Sequence, residues 1–163
     1  MRLWHYELLP YLPDLQFKGQ LREIVAIMHD WRDKGKTNHI LINRVMEYPK
    51  SNLQDYYFWY CYNYEKRYGK GTSLRLGQEF FDFDRNYPTN SCIEVVGMFH
   101  NEPIPAVTKL IFKDWHNKEY LRICMANLYE KHQYGIGKHR ISDDEWQTLL
   151  DGYKEITGED FIL

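Results

Sequence analysis

Between Pro49 and Gly69 the chain reads PKSNLQDYYFWYCYNYEKRYG, and eight of the thirteen residues from Tyr56 to Tyr68 are aromatic. So much ring surface in one segment must be covered, which makes this stretch the centre of a fold. Ring-rich runs favour strands. Here the length, the closing EKRYG and the stop at Gly69 predict a helix instead, capped by Ser51 or Asn52. On a helix Tyr57, Tyr60, Cys61, Tyr64 and Tyr68 share one face.

Other helices are predicted around it. Pro10 and Pro13 bracket a turn, and Asp14 is placed to cap a long helix over about 14–33. Its apolar stripe is Phe17, Leu21, Ile24, Met28 and Trp31, and Gly35 stands at the C′ position. TSLRLGQEFFDFD suggests a short third helix, whereas 86–108, with Pro88, Pro103 and Pro105, reads as loop. Asn117 caps a helix through Tyr120, Leu121, Cys124, Met125 and Leu128. Ser142 and Glu145 form a capping box that opens a last helix ending at Gly158. The expectation is an all-α fold of four to five helices, one domain over 1–163.

Cys61, Cys92 and Cys124 are odd in number and form no CxxC pair, so neither a disulfide framework nor a zinc site is expected. His100, His116, His132 and His139 lack metal-ligand spacing and are expected at the surface or at caps; no metal and no cofactor are implied. No run reaches the length of a membrane span, and no signal peptide is recognisable, so a soluble, cytoplasmic protein is expected. GKGTS at 69–73 is too short for a Walker motif. The net charge of −2 divides unevenly: residues 141–163 carry −6 and residues 1–140 carry +4. A mildly basic body permits nucleic-acid binding without demanding it.

The first helix carries a second signal. Gly19, Arg22, Glu23 and Ala26 fall on adjoining turns beside the apolar stripe. A glycine inside a helix costs about 1 kcal/mol relative to alanine and often marks close approach of another group. A carboxylate there can serve as a general acid or base, or stabilise a developing cation. An ordinary surface Arg-Glu pair has the same sequence, and the residues alone leave both open.

The N-terminal stretch resembles the pyrimidine dimer DNA glycosylase family, which comprises the phage-type UV-repair endonuclease and small bacterial relatives. The likeness rests on Met1 to His5 (MRLWH), Leu12-Pro13, Gly19-Gln20 and Arg22-Glu23, all in register. It continues more weakly through Tyr48-Pro49 and EKRYG, and returns in HNKEYLRICMANL. The resemblance implies an all-α glycosylase with abasic-site lyase activity on damaged duplex DNA. The N-terminal amine, here that of Met1, attacks C1′, and the glutamate matching Glu23 stabilises the iminium. The arginine matching Arg22 grips phosphates of a kinked duplex. An α-amine with a pKa near 7.7–8.0 is partly neutral at physiological pH, where lysine is not.

On this reading Met1 and Glu23 are the expected catalytic residues. Arg2, Arg22, Lys34, Lys36, His39 and Arg44 are expected on phosphate, and Trp4 and Tyr57 against bases. A second reading keeps the fold without catalysis: a binding module, phage-encoded and able to form homo-oligomers, that sequesters a small signalling nucleotide. The near-neutral charge and excess of tyrosine favour it; Arg22 and Glu23 favour the enzyme. For a structural or interaction protein nothing positive speaks.

Overall fold

The protein is described here by a computed structural model covering residues 2–84 and 111–162. Among the described residues there is no strand. A 3-10 helix, Tyr6–Tyr11, precedes six α-helices: α1 (Asp14–Lys34), α2 (Ile40–Val45), α3 (Lys50–Tyr68), α4 (Leu74–Phe83), α5 (Lys118–Tyr134) and α6 (Asp143–Thr157), with a one-turn 3-10 helix at Gly137–His139. The all-α expectation holds. Met1, Cys92, His100 and the loop expected at 86–108 lie outside the described residues. None of the described helices is long and apolar enough to cross a membrane.

Two compact units make up the chain, the first comprising 1–3 and 21–113, the second 4–20 and 114–163. In the first, α3 is the axis. Its first half is buried on every side, from Leu53 through Phe58, with Tyr60 and Cys61 following. That is why the aromatic run shows no clean stripe: a helix covered all round needs no polar face. Phe80 of α4 stacks flat on Tyr57 at 3.8 Å between centroids. Gln54 of α3 donates from Nε2 to the Phe80 carbonyl at 2.7 Å. Ile24, Ile27 and Met28 of α1, and Ile42 and Val45 of α2, complete this core. Gly69 ends α3 in the left-handed region at φ 66°, as a C′ glycine does. The start differs from expectation. Pro49 holds the N-cap position, and the Asn52 Oδ1 accepts the Phe112 N–H at 2.6 Å instead.

In the second unit the N-terminal segment lies against α6, and α5 packs on α6. The turn expected at Pro10 is the tail of the 3-10 helix, where the proline forgoes one i→i−3 hydrogen bond near the helix end. Asp14 begins α1 rather than capping it, and its carboxylate meets Lys18 at 2.6 Å. Gln20, on the buried side of α1, accepts the Trp4 N–H at 2.8 Å. The caps of α5 and α6 are as expected. Asn117 accepts the Tyr120 N–H, and Ser142 with Glu145 closes a capping box ahead of a left-handed Gly158.

His116 and His132 are buried, not superficial. The His116 Nδ1 accepts the Tyr6 N–H at 3.2 Å and its ring stacks on His5 and Tyr6. His132 reaches the Ile141 carbonyl at 3.1 Å and stacks on Trp146. Both rings satisfy backbone while filling core volume, a use that spacing cannot reveal. Cys61 and Cys124 are free and buried.

Candidate functional site

Arg22 and Glu23 sit mid-helix on α1, Arg22 exposed and Glu23 half-buried. Neighbouring positions on a helix diverge by about a quarter turn, so the guanidinium reaches solvent while the carboxylate borders the buried stripe of Ile24, Ile27 and Met28. A carboxylate at such a border is open to solvent on one side and shielded on its inner side. Arg2, in the same unit, is half-buried.

Further along, four of the six expected phosphate residues fall on one continuous segment. Lys34 is in the last turn of α1 and meets Asp30 at 2.6 Å, one turn back. Gly35 then turns the chain at φ 63°, a conformation that costs glycine nothing. Lys36 and His39 follow, both exposed, and Arg44 stands exposed in α2. The segment is not a loose loop. Asn43 of α2 accepts the Thr37 N–H at 2.9 Å and donates to the Thr37 carbonyl at 2.6 Å. The Thr37 hydroxyl accepts the His39 N–H at 3.1 Å. One side-chain amide thus holds the chain between Lys36 and His39 onto the helix that carries Arg44. Residues 32–45 carry four cations and one acid. Asn43 is the positioning residue that the sequence did not single out; a lone asparagine in ILINRV gives no warning of it.

The two expected base-stacking rings are placed differently. Tyr57 is fully buried, with one face on Phe80 and its hydroxyl 3.3 Å from Thr72. Burial pushes that phenol far above its ordinary value. Trp4 is buried in the second unit. Both rings fill core volume, and either would have to be uncovered before a base could stack on it. Met1 lies outside the described residues.

Residues 1–76 match the family model described as pyrimidine dimer DNA glycosylase. Over that segment the chain is similar to the glycosylase family, as the N-terminal motifs implied. The matched stretch contains Arg22 and Glu23 and every residue expected on phosphate. It ends inside α4, so the weaker likeness at 114–132 falls outside it. No curated protein and no solved structure matches the chain.

Proposed function

We propose that the protein is a DNA glycosylase and abasic-site lyase whose nucleophile is the Met1 amine and whose acid-base group is Glu23. The family match over 1–76, which includes Arg22-Glu23, carries this reading. The amine attacks C1′ of the damaged nucleotide. The C1′–N bond breaks, and its electron pair leaves with the base, which takes up a proton. Glu23 accepts the proton that the amine sheds and passes it to O4′ as the C1′–O4′ bond opens, and it then faces the iminium cation formed between C1′ and the amine nitrogen. Loss of a C2′ proton then expels the 3′ phosphate and cuts the strand. Arg2, Arg22, Lys34, Lys36, His39 and Arg44 neutralise phosphates. The exposure of Arg22, Lys36, His39 and Arg44 suits that task.

Incubation with duplex containing one abasic site, followed by borohydride, tests it. Reduction should trap a covalent adduct that peptide mass spectrometry places on Met1. Glu23→Gln should abolish cleavage while leaving duplex binding and the melting temperature nearly unchanged. Equal cleavage by a protein with an acetylated terminus, confirmed by intact mass, would overturn the reading.

A further inference from the structure

The chain ahead of α1 is fastened to it by a buried amide. Gln20 Oε1 accepts the Trp4 N–H at 2.8 Å, and Gln20 is only 1% exposed. Burying an amide is costly unless its polar atoms are matched, so its use here calls for a reason beyond packing. Packing already holds this segment down, since Leu3 and Trp4 are both buried. What packing lacks is register, because burial of apolar surface has no direction. A hydrogen bond has one. It fixes which backbone group stands over which turn of α1.

Two lengths follow from that register. The first runs up the chain. The terminal nitrogen is three residues before the Trp4 nitrogen, and an extended chain covers at most ~3.6 Å per residue, so the amine stays within about 11 Å of the fastened N–H. The second runs along the helix. Glu23 follows Gln20 by one turn, which sets their Cβ atoms about 5–6 Å apart on one flank of α1. Cα–Cβ bonds tilt toward a helix N-terminus, so the Glu23 side chain leans over the turn that bears Gln20. The Glu23 carboxylate therefore lies inside the range of the amine. Were the segment held instead from the His5 carbonyl, which accepts the Leu8 N–H at 3.0 Å, that range would grow to about 17 Å.

We infer that Gln20 is a positioning residue: by holding the Trp4 N–H, it keeps the N-terminal amine beside the Glu23 carboxylate. It acts through the backbone and not on the substrate. The inference rests on the reading of the Met1 amine as nucleophile and Glu23 as its proton acceptor. It adds to that reading the group that brings the two together, and explains why a buried glutamine precedes Arg22-Glu23 by one turn of α1.

Two measurements on the full chain test it. In the first, the pH dependence of acetylation by acetic anhydride, read at the N-terminal peptide by mass spectrometry, gives the pKa of the α-amine. A carboxylate held nearby raises an amine pKa, so Glu23→Gln should lower it by about one unit. In a Gln20→Leu background the same change should have almost no effect. In the second, Gln20→Leu should slow single-turnover cleavage of an abasic duplex by about tenfold or more, the effect of a misplaced reacting group, with duplex Kd changed less than about twofold. A merely structural role would leave the coupling between the amine and Glu23 intact. Should Gln20→Leu fail to fold, Gln20→Asn, whose acceptor stops one carbon short, takes its place. If the wild type gives no borohydride adduct while the coupling is present, the cleavage reading fails and Gln20 still positions the amine. A Glu23→Gln shift of equal size in both backgrounds, no shift in the wild-type background, or equal cleavage by wild type and Gln20→Leu would overturn the inference.

Discussion

Gly152 of α6 lies flat against the ring of Tyr11, so close that a Cβ at 152 would come within 2.6 Å of both ring Cδ atoms. Glycine in a helix interior otherwise wastes about 1 kcal/mol. The sacrifice lets the N-terminal segment sit directly on the helix backbone.

Gly152→Ala should therefore destabilise, against the helix-propensity rule. The methyl overpacks the ring at about 1–3 kcal/mol, which exceeds the propensity gain. At 2–4 °C per kcal/mol the melting temperature should fall by a few degrees. In a Tyr11→Ala background the same change should raise it. A rise in both backgrounds would show that the ring can move aside.

His5 makes a pH-dependent prediction. Its ring is buried among Tyr6, His116 and Tyr120, and burial lowers its pKa from 6.5 to about 4, partly offset by a hydrogen bond to the His116 backbone. The sign follows from which state binds the proton first. Above pH 6.5 both folded and unfolded chains hold the ring neutral, and its contribution is complete. Between 6.5 and about 4 only the unfolded chain gains a proton, so stability falls with pH; below that window it levels off. The shift corresponds to about 3 kcal/mol. Glu7 opposes it, because burial raises its carboxyl and folding then favours its protonated form at low pH. His5→Asn should flatten the difference between pH 7 and pH 4 unfolding free energies by that amount. An unchanged difference would place the acid sensitivity elsewhere.

Gln20 gives a third. Its buried Oε1 accepts the Trp4 N–H. Gln20→Leu keeps the volume and removes the acceptor, leaving the amide buried and unmatched at a cost of about 1–3 kcal/mol. Chemical denaturation should show the midpoint falling with an unchanged slope. A loss no greater than that of an exposed substitution, such as Gln147→Leu, would mean that the amide finds another acceptor.

Much of this architecture was readable beforehand because it rests on local chemistry. Asn117, Ser142 with Glu145, Gly69 and Gly158 mark helix ends by their own hydrogen bonds and dihedral angles. What stayed hidden depends on distant partners. Asn52 was expected to cap α3 but reaches Phe112, sixty positions away. His116 was expected outside but answers the Tyr6 amide across 110 positions. For the site, the motif at Arg22-Glu23 stood out. The Asn43–Thr37 tie did not, since it is assembled from residues common in any loop or helix.

That tie separates two ways of weakening DNA binding. Lys36 and Arg44 are proposed to neutralise phosphates, so replacing either by alanine should lower the slope of log affinity against log salt by about 0.9. Asn43 bears no charge. Its amide fixes Thr37 through two hydrogen bonds of 2.9 and 2.6 Å, and so holds Lys36 and His39 onto α2. Asn43→Ala should cost about 1–3 kcal/mol of stability. It should also weaken duplex binding at every salt concentration by a constant factor, because the same cations still bind but must first be ordered. Fluorescence anisotropy of an abasic duplex from 50 to 200 mM salt distinguishes the cases by slope and intercept. If Asn43→Ala changes the slope as a lysine substitution does, the loop has lost its cations from the interface altogether. If it changes neither slope nor intercept, this segment does not meet DNA.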